Sequence, residues 1–317
     1  MKKDELNPEA LKIINDIERL EKNGERVPLH KLNYIEARKS YLAMRGSLSP
    51  PPPHIYQVLN IKIPVKGKYI NARYYRGLKN GKKLLPVTIF FHGGGWVIGD
   101  LDTHDVICRQ LAIKGNFDVI SIEYGLAPEH KFPVAINQSL EAINFIAHNS
   151  LKLPYDKTKI ALCGDSAGGN IAAVCCINAK INSFPLISFQ ALIYPSTHLG
   201  SNYPSREKYD GFILSKQLMS WFEEKYIDHK DLNDWRTAPM LYHNLKNLPP
   251  SLIVLAGCDP LKDEGIAYAK ALKKSGNTVE VFEFKGQIHG FLTMGAKISD
   301  ASKLITLVCE RINNSFS

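Results

Sequence analysis

The sequence predicts an α/β fold: a mostly parallel central sheet flanked by helices on both faces. Three observations point there. Beyond the first eighty residues, short apolar runs of strand length alternate with longer segments of helical period, the pattern of a parallel sheet with crossover helices. Runs such as Val87–Phe91 and Ile160–Cys163 are apolar throughout, as strands covered on both faces must be. Two further regions, the first fifty residues and the interval from Thr197 to about Leu248, lie outside this rhythm and carry helical patterns of their own.

Taken in order, Asn7 can cap a first helix with Pro8 at its first position, and Leu6 and Leu11 stand where a hydrophobic staple would form. Ile14, Ile17 and Leu20 give that helix an apolar face, and Gly24 can end it. A second amphipathic stretch runs from about Leu29 to Met44, and Pro50–Pro53 form a stiff connector. Ile55–Val65 and Ile70–Tyr75 read as paired strands with a turn at Lys66–Gly67. The alternation then runs strand Val87–Phe91, helix Thr103–Lys114, strand Val119–Glu123, helix Val134–His148, strand Ile160–Cys163, helix Asn170–Ile177 and strand Ile187–Tyr194. The long interval that follows holds a helix over Lys216–Tyr226. Strand Ser251–Leu255, helix Gly265–Lys274, strand Val279–Phe284 and helix Lys297–Asn313 complete the chain. The expected organisation is an N-terminal helical segment over 1–53, which could be a lid or only a covering layer, a core domain over 54–196 and 249–317, and an insertion over 197–248. No internal repeat is visible, and the four prolines are the one low-complexity tract.

Composition narrows the function. The 317 residues are 44% hydrophobic and 22% charged, ordinary for a globular chain with a sizeable core. The net charge of +9 is spread along the chain with only small clusters such as Lys79–Lys83, and no nucleic-acid motif accompanies it, so no nucleic-acid partner is expected. The segment MKKDELNPEALK lacks the apolar core of a signal peptide, and no run approaches the roughly 20 apolar residues of a membrane helix; a cytoplasmic protein without stable membrane insertion is expected. The six cysteines have no CxxC spacing, which argues against zinc and for buried thiols; Cys258 reads as a strand-end packing residue.

Four features fall at strand carboxyl ends, where a sheet of this kind carries its chemistry. Gly164-Asp165-Ser166-Ala167-Gly168 fits G-x-S-x-G, a tight strand-to-helix turn that pushes a serine hydroxyl into solvent. Alone it is weak, since chance yields it in roughly one chain of this length in ten. A tight turn with an incidental serine is the plainer alternative. His92-Gly93-Gly94-Gly95-Trp96 follows an apolar strand and leaves backbone N–H groups uncovered for an oxyanion. A phosphate cradle is the rival, but no G-x-x-x-x-G-K-[ST] supports it. Asp259, after Ser251–Leu255, can orient an imidazole, although a lone aspartate there is more often a turn or cap residue. Asp263 and Glu264 would open the next helix. His289 lies in the loop after Val279–Phe284. The chain order Ser166, Asp259, His289 is the one expected of an α/β-hydrolase, and their joint occurrence carries the reading.

These motifs resemble those of the hormone-sensitive-lipase-like branch of the α/β-hydrolases, the bacterial carboxylesterases with a GDSAG elbow. HGGGW, GDSAGG, DPLKDEG and IHGF carry the resemblance, and Glu123-Tyr124-Gly125-Leu126-Ala127-Pro128-Glu129 is similar to the family's Y-R-L-A-P-E segment. It runs from about Ile55 to the C-terminus. Gly125 departs from it, standing where the family has arginine, which bears on local packing. The resemblance implies a helical cap built from the 1–53 segment and the 197–248 insertion, and a serine carboxylesterase for short- to medium-chain acyl esters, with no metal and no organic cofactor. Ser166, Asp259 and His289 would be catalytic, and His92 would order its loop. The resemblance selects the N–H groups of Gly94, Gly95 and Ala167 as the oxyanion hole. Trp96 is expected to wall the pocket. Phe212, Leu214 and Trp221 would either line the acyl side or form the cap's own apolar core. The partner implied is a small-molecule ester. An amidase or deacetylase using the same triad, or a non-catalytic small-molecule receptor, are the alternatives. The oligomeric state is open, a homodimer included.

Overall fold

Two helices lead into the sheet. In the computed structural model, which describes residues 3–77, 79, 84–149 and 151–316, α1 (Pro8–Lys22) starts at Asn7, whose side chain accepts the Glu9 N–H at 2.9 Å. It ends with Gly24 in the left-handed region (φ +73°), where Glu25 N–H reaches Leu20 O at 2.9 Å and Gly24 N–H reaches Glu21 O at 3.2 Å. The second helix begins later than its apolar pattern suggests. Leu29–Lys31 is a single tight turn, and α2 spans Tyr34–Leu48. Asn33 is the reason: its side chain accepts the N–H groups of Ile35 and Glu36, and the Glu36 carboxylate accepts the Asn33 N–H. This reciprocal pairing satisfies donors that the first turn of a helix otherwise leaves unpaired.

The hairpin β1 (Gln57–Val65) and β2 (Lys68–Arg76) turns at Lys66–Gly67, with Gly67 at φ +74°. There follow β3 (Leu85–Phe91), α3 (Asp105–Lys114), β4 (Asp118–Ile122), α4 (Val134–Ala147), β5 (Tyr155–Asp165), α5 (Ala167–Asn182) and β6 (Ile187–Ile193). The insertion carries a short helix α6 (Pro204–Lys208), which the periodicity does not reveal, and α7 (Lys216–Tyr226). Then come β7 (Ser251–Cys258), α8 (Lys262–Lys274), β8 (Val279–Ile288) and α9 (Asp300–Ser315). Strand β5 is longer than its apolar run because it also includes residues 157–159, which are exposed and polar. Of the basic cluster Lys79–Lys83, all but Lys79 lies outside the described residues.

The sheet order is β1-β2-β4-β3-β5-β6-β7-β8. Only the β1–β2 and β2–β4 pairings are antiparallel. The six strands from β3 to β8 run parallel, so their carboxyl ends share one edge. Along β3 the side chains alternate: Ile89 and Phe91 join the core under α4, α5 and α8, whereas Phe90 joins the core under α1, α3 and α9. Both faces are covered, which accounts for strands with no polar alternation. All six cysteines are buried thiols. Among the described residues, no helix is long and apolar enough to cross a membrane.

Removing the Asn33 side chain takes away two hydrogen bonds at the start of α2. Asn33→Ala is expected to lower the stability by about 1 kcal/mol, read as an earlier denaturation midpoint, while Asn33→Asp, which keeps the acceptor, stays close to wild type.

Candidate active site

The turn between β5 and α5 has almost no room. A Cβ on Gly168 would stand 2.0 Å from Phe91 O, and one on Gly164 would stand 2.3 Å from Gly168 O. Strand, turn, helix and the end of β3 therefore touch through bare backbone. Between them Ser166 adopts φ +55° and ψ −117°, a conformation that costs a non-glycine residue on the order of 1–3 kcal/mol. The surrounding lattice holds it there: Ser166 N–H donates to Ile193 O at 2.9 Å, and Ser166 O accepts the N–H groups of Asn170 (3.1 Å) and Ser196 (3.2 Å). The serine hydroxyl is thereby directed off the sheet edge.

Two neighbouring strand ends meet it. Asp259 directly follows β7 and is fully buried; one carboxylate oxygen accepts the Leu261 N–H at 2.8 Å, and the other lies 2.7 Å from His289 Nδ1. His289 follows β8, and its Nε2 is 2.9 Å from Ser166 Oγ. A carboxylate can only accept, so Nδ1 carries the proton and Nε2 is left bare to accept from the serine hydroxyl. The Tyr194 ring packs at 4.8 Å from the imidazole.

The glycine loop after β3 forms the facing wall. Gly94 (φ +122°) and Gly95 (φ +57°) hold conformations that side chains rarely adopt. The Gly94 carbonyl is tied down by Val97 N–H at 3.1 Å and Ile98 N–H at 3.0 Å. The N–H groups of Gly94, Gly95 and Ala167 have no acceptor among the described residues.

Asp165 stands at a variable position of its motif and so gives no signal in the sequence, yet it anchors this loop. Its Oδ1 accepts the Gly93 N–H at 2.8 Å and lies 3.3 Å from His104 Nε2. Burial works against its negative charge, but His104, His92 and the Gly93 N–H outweigh that and hold the carboxyl below its usual range. His92 is fully buried, donates from Nδ1 to Gly93 O at 2.8 Å, and stacks on Tyr124 at 4.4 Å. Tyr124 Oη in turn donates to His92 O at 2.6 Å. Burial, with His104 adding to it, pushes the His92 pKa down to about 4, so the ring is neutral at pH 7. Its one N–H proton is committed to the Gly93 carbonyl, which ties the ring to the loop. Beside Tyr124, a Cβ on Gly125 would stand 2.9 Å from both Gln138 and His130, and Gly125 N–H donates to Gln138 at 2.7 Å. The departure at this position is thus accommodated by neighbours that close over it.

Ser166, His289 and the loop glycines open into a cavity of about 440 Å³. Trp96 and Leu214 line it; Trp96 also stacks on Tyr226 at 4.4 Å. Phe212 and Trp221 are not among its lining residues. Phe212 is fully buried in the core beneath α1 and α9, and Trp221 points to another side of α7, edge-on to Phe222 and covered by Lys225. The helical period explains the exchange: Leu218, Met219 and Phe222 share one face of α7 and turn it to the cavity. A Cβ on Gly95 would stand 2.3 Å from the Phe222 ring, so the insertion rests directly on the glycine loop. Glu264 fixes the insertion from below. Fully buried at the start of α8, it accepts the N–H groups of Thr197 (2.8 Å) and His198 (3.2 Å) and pairs with Arg206 at 2.8 Å. The sequence marks it only as a helix-opening acid. From the other side, Ile14 and Ile17 of α1 and Tyr41, Met44 and Arg45 of α2 complete the walls.

Comparison with known proteins agrees with this geometry. Residues 88–293 match a family model described as the alpha/beta hydrolase fold. The carboxylic ester hydrolase LipN of Mycobacterium tuberculosis is 37% identical over 86% of this chain and 75% of its own. The ethyl acetate hydrolase of Pseudomonas putida is 30% identical over 97% and 98%. An alpha/beta hydrolase enzyme from the metagenome of Lake Arreo, Spain, superposes with a TM-score of 0.94 at 36% identity, covering 99% of each chain. The chain belongs to the α/β-hydrolase family, in its hormone-sensitive-lipase-like branch.

The state of His92 predicts a pH dependence. With a folded pKa near 4 against about 6.5 when unfolded, the unfolded chain binds the extra proton between those values, so stability falls as pH drops through that window. Between pH 7 and pH 5 the loss from this one group is about 2 kcal/mol. Denaturant unfolding at both pH values should show it, and His92→Asn should flatten the slope.

Proposed function

We propose that this chain is a serine carboxylesterase for short- to medium-chain acyl esters, working through Ser166, His289 and Asp259. The observation that carries the reading is the continuous relay from Asp259 through His289 (2.7 Å) to Ser166 Oγ (2.9 Å), set beside three N–H groups with no other acceptor among the described residues. The carboxylic ester hydrolase and ethyl acetate hydrolase among its relatives support ester hydrolysis as the reaction class.

In this mechanism Ser166 Oγ attacks the ester carbonyl carbon while its proton passes to His289 Nε2. Asp259 keeps Nδ1 protonated and stabilises the imidazolium. The carbonyl oxygen, now negative, is received by the N–H groups of Gly94, Gly95 and Ala167. Ala167 is the first residue of α5, so the helix dipole adds to the attraction. Each such donor is worth on the order of 10²–10³ in rate. The carbon–oxygen bond to the alcohol then breaks, and the leaving oxygen takes the proton from His289. Water, deprotonated by His289, hydrolyses the acyl-serine by the reverse sequence. The residues of α1 and α2 and the 197–248 insertion act as the cap. Trp96, Leu214, Leu218 and Phe222 supply an apolar wall for the acyl chain, in a cavity sized for a small molecule rather than a lipid.

The test is a chain-length series on p-nitrophenyl acetate, butyrate, octanoate and palmitate with wild type and Ser166→Ala. Wild type is expected to act on the shorter esters and poorly on palmitate, and the variant to lose at least about three orders of magnitude. More than a few per cent residual activity in Ser166→Ala would overturn the assignment. Inclusion of p-nitroacetanilide separates an amidase, which would hydrolyse it at a rate comparable with the ester.

A further inference from the structure

Each buried or half-buried charge on the cavity wall has a partner, with one exception. Arg26 pairs with Glu21, Glu18 with Lys3 at 2.6 Å, Arg206 with Glu264 at 2.8 Å, and Asp165 with His104 at 3.3 Å. Glu223 lies 3.8 Å from Arg206. Arg45 differs. It projects from α2 into the cavity wall and is only 4% exposed, yet no carboxylate forms an ion pair with it among the described residues. Nη1 donates to Thr293 Oγ1, the guanidinium lies 4.7 Å over the Tyr41 ring, and Nε is buried without a partner.

Arginine cannot shed its proton, and a buried cation without a counter-charge is costly. Its planar fork of donors matches a carboxylate in two parallel hydrogen bonds. The cost is repaid in the complex if the ligand brings the anion. We propose that Arg45 is a recognition residue for esters that carry an ionised carboxylate in addition to the scissile bond, such as half-esters of dicarboxylic acids. This rests on the esterase reading above. The hydroxyl of Thr293 also donates to Gly290 O at 2.8 Å, next to His289, so Arg45 additionally braces the histidine loop. Bracing would affect all esters alike, whereas recognition discriminates between them.

The experiment compares matched pairs. Monoethyl adipate against ethyl hexanoate places the carboxylate on the acyl side; 6-acetoxyhexanoate against hexyl acetate places it on the alcohol side. In one pair wild type should favour the ionised ester in kcat/KM by about tenfold or more, with the preference compressed by added salt. Arg45→Met should collapse that ratio through KM, and Arg45→Lys should restore part of it. A wild-type enzyme that favours the neutral ester in both pairs overturns the proposal. So does an Arg45→Met variant that loses activity on both members of a pair by the same factor. Should Arg45→Met fail to fold by circular dichroism, the wild-type ratio and that of Arg45→Lys decide the matter by the same criterion. Hydrolysis of the neutral esters without carboxylate preference sinks this inference alone. No Ser166-dependent hydrolysis of any of the four sinks the esterase reading with it.

Discussion

Backbone-to-backbone contact at the carboxyl end of β3 is the constraint on which the site depends. Phe91 O occupies the space where a side chain on Gly168 would stand, and Gly168 O occupies the space of one on Gly164. With those two positions bare, α5 can start directly over the sheet edge. Ser166 is then forced through a positive φ and its hydroxyl is thrown clear of the turn. The strain is local and small beside the many buried contacts of β3, β5 and α5, which is why it persists. Widening the turn would relax the serine and separate it from His289.

The same crowding sets the electrostatics. Because the turn presses against the glycine loop, Asp165 reaches across to the Gly93 N–H and to His104. That contact fixes the loop's first peptide, and the N–H groups of Gly94 and Gly95 have no acceptor among the described residues. His92 closes the arrangement from behind as a neutral ring stacked on Tyr124. The low local dielectric strengthens the contacts this buried network does make, Gly93 N–H to Asp165 and His92 to Gly93 O among them. In the mechanism proposed above, such a preorganised loop would need no reorientation as charge develops on a bound carbonyl oxygen.

The 197–248 segment is coupled to this centre by packing as much as by hydrogen bonds. Phe222 sits where a Gly95 side chain would be, Trp96 stacks on Tyr226, and Glu264 ties the start of the insertion to α8. Displacement of α7 would therefore be felt at the glycine loop.

The alternation of apolar runs and helical periods is sufficient to read the parallel sheet, because strands buried on both faces leave little choice of residue. The chain order of serine, acid and histidine is legible for a similar reason: each stands at a strand end, and a strand end is a local event. The start of α2 is missed in the sequence, although the N-x-x-E pattern at Asn33 is local, because the amphipathic stretch from Leu29 runs through it and obscures where the helix begins. What cannot be read in one dimension is direction and partnership. Whether Trp221 or Phe222 faces the cavity is a matter of about one helical step, and the packing of α7 on Gly95 sets that phase. Asp165, Glu264 and Arg45 are ordinary charged residues in the sequence. Two of them become anchors and one an unpaired buried cation because residues 58 to 248 positions away arrive, or fail to arrive, with the complementary group.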